Sequence, residues 1–186
     1  AAGYQYSDDF AAMNDLKQVP ALGLFAEVGL PFALDENPTR LTQMTTKALD
    51  LLDGQNDKGF FVMIEGSQID WCGHANDIAC AMGEMDDFAK SIEQAKAYVD
   101  KNPDTLLVIT ADHSTGGLTL GAHGQYKWET DVVKGVKATA GTITKDLLES
   151  DDLKAVWQKY SDIEFTDANS IKLSEAKKMG DKALLL

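Results

Sequence analysis

The sequence predicts an α/β fold built around a parallel sheet. Two short apolar runs rich in strand-forming residues, 59–64 and 106–110, are typical of strands buried on both faces. Between them, from about residue 74 to residue 100, apolar residues recur at helical spacing. The order strand, long helix, strand indicates a right-handed parallel crossover unit. Ligands of such sheets bind at the carboxyl ends of the strands, so the polar residues after each run are the first candidates for a site.

The remaining elements are predicted to be helices and turns. Pro38-Thr39 begins a helix whose apolar residues run from Leu41 to Leu52, and Asp53-Gly54 ends it. A turn is expected at Asn102-Pro103-Asp104, between the long helix and the second strand.

The character of the chain changes after Gly124. An amphipathic helix is predicted to begin near Ser150, and a last helix is predicted at about Ser174 to Leu185. We therefore predict a division into an α/β part over residues 1–124 and a helical or irregular part over residues 125–186.

Composition limits the partners of this 186-residue chain. Its net charge of -13, from 30 acidic and 17 basic residues, argues against nucleic acid and, more weakly, against an anionic membrane surface. Bound cations reverse the local field, so an anionic substrate stays compatible with this charge. No apolar run approaches the roughly 20 residues of a membrane span. The first ten residues lack the pattern of a signal peptide, as expected for either a mature secreted protein or an internal fragment.

Two cysteines, Cys72 and Cys80, lie eight positions apart. On one continuous helix this separation is roughly 12 Å along the axis, which is too far for a disulfide. We therefore expect two buried or partly buried thiols.

A first cluster of candidate ligands follows the first predicted strand. Asp70 and His74 have the i, i+4 spacing that places both on one face of a helix, and carboxylate oxygen with imidazole nitrogen suits zinc. Glu65, at the strand end, better suits magnesium. Taken alone, the Asp70–His74 spacing is also typical of an incidental ion pair on a surface helix.

A second cluster, Asp112-His113, follows the second predicted strand. At a bend from strand to loop both side chains can reach one ion, and the following Gly116-Gly117 allows tight backbone geometry. Alone, the pair could equally be a capping aspartate and a structural histidine. Together, the two clusters are expected to converge at one sheet edge, which indicates two metal ions a few ångströms apart.

These segments resemble those of the bacterial alkaline phosphatases. The resemblance lies in Gly59–Asp70 followed by His74-Ala75, and in Thr110–Leu118; Leu22–Phe25 and Met44–Leu52 match the family's usual lead-in. It covers about residues 20–122 and implies the C-terminal, metal-binding part of an α/β/α sandwich.

The resemblance also implies ligands and an activity. Asp70 and His74 would bind a first zinc ion, Asp112 and His113 a second, and Glu65 a magnesium ion. The implied reaction is hydrolysis of phosphate monoesters through a serine nucleophile. That serine, an early metal-binding aspartate and a phosphate-binding arginine belong to the family's N-terminal half and are not recognisable here. A further zinc-binding histidine segment is not recognised either. The isolated chain is therefore expected to bind zinc weakly and to be inactive.

Three other residues are of a type that metal or phosphate sites use. Trp71 either shapes the magnesium region and the surroundings of the phosphate, or it is a packing aromatic. His123 lacks the flanking residues of the family's further zinc-binding histidine, so we expect an exposed loop histidine. Arg40, the single arginine of the chain, does not match the position of the phosphate-binding arginine.

Two alternative functions stay open from the sequence. One is a related two-metal hydrolase, such as a sulfatase, a phosphodiesterase or a cofactor-independent mutase. The other is a non-catalytic interaction module that keeps the core for structural reasons. The resemblance also implies a periplasmic or secreted homodimer that acts on phosphate monoesters, and a variable insertion over residues 125–186 of the kind that forms a crown or a subunit contact. The absence of nucleic acid and membrane as partners is expected from the acidic charge.

Overall fold

The computed structural model describes residues 3–55 and 57–179. These residues form two compact units that alternate along the chain. Unit 1 takes its described residues from Ala1–Pro31, Thr39–Gly66 and Met85–Thr110, and unit 2 takes them from Phe32–Pro38, Ser67–Glu84 and Ala111–Leu186. The predicted division near residue 124 remains a prediction.

Among its described residues, unit 1 contains a small parallel sheet, a short 3-10 helix (Ala11–Asp15) and two α-helices, one of them in part. Strands β1 (Gln5–Ser7) and β2 (Ala21–Gly23) pair in parallel. Helix α1 (Arg40–Leu52) begins after Thr39 and ends at Asp53, as the sequence predicts. Most of the long helix α3 (Ile78–Lys101) also belongs to this unit, and the turn after it confirms the predicted break at residues 102–104.

Residues 59–64 and 106–110 differ from the prediction. Both segments belong to unit 1, and neither is a strand of the sheet formed by the described residues. Exposure along 60–65 alternates, with Phe60, Val62 and Ile64 half-buried and Phe61 and Met63 exposed to 91% and 77%. The prediction of burial on both faces is therefore wrong for the described chain. Apolar content indicates extended backbone, but pairing and burial also require a neighbouring strand or layer on each side.

A buried carboxylate in α3 holds the start of α1. The two oxygens of Asp87 accept hydrogen bonds from the backbone N–H groups of Leu41 and Thr42, at 2.9 and 3.0 Å. Thr39 precedes the helix and makes no side-chain cap bond, so Asp87 supplies acceptors that the helix start lacks. The Arg40 guanidinium lies 3.8 Å from the same carboxylate, and both side chains are buried.

Unit 2 is built mainly from short helices. A core of Leu147, Val156 and Leu173 joins the last three of them. The helix predicted near Ser150 begins at Leu153, with Asp152 capping it, and α7 begins at Asp167 rather than at Ser174. The predicted extension of α7 beyond residue 179 lies outside the described residues. The helices are α2 (Gln68–His74), α4 (Thr130–Lys134), α5 (Ala140–Glu149), α6 (Leu153–Tyr160) and α7 (Asp167–Met179). None of the described helices is long and apolar enough to cross a membrane.

Cys72 and Cys80 form a disulfide, so the prediction of two thiols is wrong. The two cysteines do not lie on one continuous helix, because α2 ends at His74 and α3 begins at Ile78. At the break Asn76 adopts φ +54°, a left-handed conformation that interrupts helical geometry. The two Cα atoms therefore lie 5.5 Å apart, and both cysteines are buried. The disulfide fixes α2 against the first turn of α3.

Replacing both cysteines by serine should lower the free energy of unfolding. A link across eight residues restricts the unfolded chain by about 2.5 kcal/mol in the chain-entropy description. Urea denaturation of the wild-type chain, with and without a phosphine reductant, gives the size of the effect. The double variant is the control, because the reductant should not change its unfolding. Equal stability of oxidised wild type and double variant would show that the disulfide contributes nothing.

Candidate metal centre

Helix α2 presents two of the predicted ligands on one side. Asp70 and His74 stand one turn apart, with Nε2 of His74 3.5 Å from Oδ2 of Asp70. Gln68 and Cys72 are the buried residues of the helix, and Cys72 is covalently tied to Cys80. The disulfide thus anchors the buried side of α2, and with it the side that carries Asp70 and His74. The one-turn spacing and the 3.5 Å contact confirm the prediction that Asp70 and His74 share one face of a helix.

The loop that begins at Ala111 brings the second predicted pair to the same place. Nε2 of His113 lies 3.7 Å from Oδ1 of Asp70 and 3.6 Å from Oδ2 of Asp112. Each oxygen of Asp70 therefore faces a different imidazole, that of His74 on one side and that of His113 on the other. Four of the five predicted ligands belong to one series of contacts within unit 2.

The separations between these atoms bear on whether a cation fits. They range from 3.5 to 3.7 Å, longer than the roughly 2.7–3.2 Å of an N–H···O hydrogen bond. Two ligands of a tetrahedral zinc ion, each about 2.0 Å from the metal, lie about 3.3 Å apart. The donor types and their spacing thus fit zinc in pairs. In the part of the chain that the structure describes, however, no three His, Cys, Asp or Glu side chains are grouped to hold one ion.

Thr115 contacts both halves of this arrangement, and the sequence analysis did not identify it. Its hydroxyl donates to Oδ1 of Asp70 at 2.7 Å, and its backbone N–H donates to Nδ1 of His113 at 3.0 Å. Its φ of +51° is unusual for a β-branched residue and costs on the order of 1–3 kcal/mol. The nearest sequence signal is its position two residues after His113, which does not by itself indicate a role.

Gly73 provides the space for Thr115. A Cβ atom at Gly73 would lie 3.1 Å from Cβ and 3.2 Å from Cγ2 of Thr115. These distances are shorter than ordinary van der Waals contact. A glycine inside α2 therefore allows the loop to approach the helix closely enough for the Asp70 hydrogen bond.

The side chains of Glu65, Trp71 and His123 are exposed. Glu65 is exposed and belongs to unit 1, so its magnesium ligation remains a prediction. Trp71 is 41% exposed on α2, and its role also remains a prediction. His123 is exposed, as expected, and lies in a short 3-10 helix, Ala122–Gly124, where it adopts φ +56°.

Comparisons with known proteins identify the class to which this fold and site belong. The family model of alkaline phosphatase matches residues 1–183. Alkaline phosphatase 4 of Bacillus subtilis (strain 168) is 40% identical over 184 residues, which are 98% of this chain and 40% of that protein. The alkaline phosphatase of Escherichia coli (strain K12) is 34% identical over 142 residues, covering 61% of this chain and 30% of that protein.

A solved structure agrees with these matches. The crystal structure of a cold-active alkaline phosphatase from the psychrophile Shewanella sp. is similar with a TM-score of 0.93 and 44% identity, over 99% of this chain and 46% of that one. The class is therefore that of the α/β phosphatases, which confirms the predicted fold class. The chain belongs to the alkaline phosphatase family, and it spans less than half the length of the relatives it matches.

Alanine at Gly73 should be less favourable than alanine at a comparable open position. Where the backbone conformation suits alanine, Gly→Ala normally stabilises by about 0.4–1 kcal/mol. Gly141 in α5 should show this gain, since its nearest neighbour would be 3.9 Å from an added Cβ. At Gly73 the contact with Thr115 should offset the gain by about 1 kcal/mol or more. Thermal unfolding of both variants measures the difference, and equal gains at the two positions would contradict the packing described here.

Proposed function

We propose that this chain supplies the metal-binding part of a phosphatase that hydrolyses phosphate monoesters. The observation that carries the proposal is the position of the Asp70 carboxylate between the imidazoles of His74 and His113. The family is generally metal-dependent. We therefore infer that this carboxylate and the two imidazoles bind cations. The exposure of His74 and His113, at 73% and 54%, leaves the imidazoles accessible to an ion from solvent.

We assign two zinc ions and one magnesium ion to this part of the protein. Asp70 and His74 would hold the first zinc ion, Asp112 and His113 the second, and Glu65 the magnesium ion. When bound, such ions neutralise phosphate oxygens and lower the pKa of bound water. The chain has a net charge of -13, and two of the proposed zinc ligands are carboxylates. Bound cations would therefore be needed to attract an anionic ester.

The nucleophilic serine and the phosphate-binding arginine are assigned to residues outside this chain. Arg40 cannot easily act as the latter, because its guanidinium is buried beside Asp87. Withdrawing it would leave the Asp87 carboxylate buried without its cation, which is costly. The chain alone should accordingly bind zinc weakly and lack the covalent step.

We also propose a periplasmic or extracellular location for the complete protein. The Cys72–Cys80 disulfide supports this, because disulfides persist mainly in oxidising compartments. A homodimer that acts on phosphate monoesters, without nucleic acid or membrane as a partner, is proposed on the basis of the family and the acidic composition.

Isothermal titration calorimetry of the 186-residue chain with zinc tests the ligand assignment. We expect Asp70→Ala and His113→Ala each to weaken zinc binding by at least about tenfold, since each removes a ligand. His123→Ala is the matched control and should bind zinc like the wild type. Zinc binding that is indifferent to Asp70 and His113 would contradict the proposal and favour a non-catalytic interaction module.

A chimaera tests the activity itself. In it, this chain replaces the matching segment of the Bacillus subtilis relative, which supplies the remaining residues. We expect zinc-dependent hydrolysis of p-nitrophenyl phosphate, lost on Asp70→Ala, and much slower reaction with the corresponding sulfate ester and phosphodiester. Preference for either of those two esters would support a related two-metal hydrolase instead. Robust turnover by the isolated chain through a phosphoserine would contradict the assignment of the nucleophile to residues outside it.

A further inference from the structure

We propose that Thr115 is a positioning residue that couples the two pairs of zinc ligands. The inference rests on the proposed function, since it takes Asp70 and His113 as ligands. Thr115 hydrogen-bonds to one residue of each pair, to Asp70 through its hydroxyl and to His113 through its backbone N–H. The pairs come from separate segments, helix α2 and the loop at residues 111–117, and Thr115 joins them directly.

The hydroxyl determines how the Asp70 carboxylate is oriented. A threonine hydroxyl has one hydrogen to donate, and here it goes to Oδ1 of Asp70 over 2.7 Å. This bond restrains the carboxylate at Oδ1, while Oδ2 faces Nε2 of His74 at 3.5 Å. Mutating a residue that holds a ligand in this way typically lowers metal affinity or activity about 10–100-fold.

The same hydroxyl is placed to serve His113. In the described geometry the N–H of Thr115 donates to Nδ1 of His113, a bond that zinc ligation through Nε2 would exchange for one in which Nδ1 donates. Ligation through Nε2, the nitrogen that faces Asp70 and Asp112, requires the neutral ring to carry its proton on Nδ1. Nδ1 must then donate, and the hydroxyl oxygen of Thr115 is 3.4 Å away with lone pairs to accept. One hydroxyl can thus donate to Asp70 and accept from His113 together.

The backbone at Thr115 supports a functional reason for this residue. A β-branched side chain at φ +51° is disfavoured, and glycine would relieve the strain, as in the two glycines that follow with φ of +100° and +83°. Gly73 on α2 leaves the space that the threonine side chain occupies. The hydroxyl thus reaches Asp70 through an unfavourable backbone conformation and a matching gap in the facing helix.

Zinc titration of Thr115 variants in the 186-residue chain tests the proposal, with zinc as the probe. Thr115→Val keeps the side-chain shape and removes the hydroxyl, and it should weaken zinc binding about 10–100-fold. Thr115→Ala should do the same without a branched side chain. Thr115→Ser, which retains the hydroxyl, should restore near wild-type affinity. Circular dichroism and thermal unfolding show that each variant is folded.

Thr142→Val is the matched control. The Thr142 hydroxyl donates to Oδ2 of Asp35 at 2.9 Å, so this change removes a comparable hydroxyl–carboxylate bond elsewhere in unit 2. Its zinc affinity should equal that of the wild type. Long-range proton–nitrogen spectra of the zinc-bound chain give a second measurement, in which Thr115→Val should shift the Nδ1 resonance of His113 and Thr142→Val should not.

The outcomes separate this inference from the proposed function. If the wild type and Thr115→Val bind zinc equally, the role of Thr115 is overturned and the ligand assignment stands. If Thr115→Ser is as weak as Thr115→Val, the hydroxyl is not the cause and the proposal also fails. If the wild type shows no zinc binding that depends on Asp70 and His113, the ligand assignment falls, and this inference falls with it.

Discussion

The Asp70 carboxylate, with an imidazole facing each of its oxygens, is the interaction on which the rest of the site depends. Its position on α2 places it beside His74 by helical geometry alone, one turn away. The approach of His113 to Asp70 depends on tertiary structure, because it requires the loop to lie close against the helix. Gly73 permits that approach and Thr115 fixes it with a hydrogen bond to Asp70. The disulfide at Cys72 holds the opposite side of the same helix.

The proposed ligands lie in a region of negative charge. Asp70 and Asp112 both lie within 4 Å of Nε2 of His113, in a chain that already carries 13 net negative charges. Left without cations, such a group repels phosphate. With divalent ions between the carboxylates and imidazoles, the local field changes sign and an anionic ester is attracted. The acidic composition and the proposed phosphatase activity are therefore compatible, and the cations are the link between them.

The sequence predicted what depends on local order and missed what depends on distance. Helix α1 and the Asp70–His74 face follow from apolar spacing, start signals and helical periodicity, and the motifs around both ligand pairs resembled the correct family. The disulfide was missed because a left-handed Asn76 breaks a helix that apolar spacing alone makes continuous. The extended segments were recognised as apolar, but their burial depends on neighbours in space. Thr115 was missed because its role depends on its distance to Gly73 and Asp70, far away in the chain.

Anomalous diffraction from zinc-soaked crystals, recorded on both sides of the zinc absorption edge, tests the central claim most directly. The account predicts zinc within about 2.0–2.2 Å of a carboxylate oxygen of Asp70 and of an imidazole nitrogen of His74. The account would be contradicted if, at saturating zinc, the zinc peaks lay only at His123 or at carboxylates elsewhere on the surface and none lay beside Asp70.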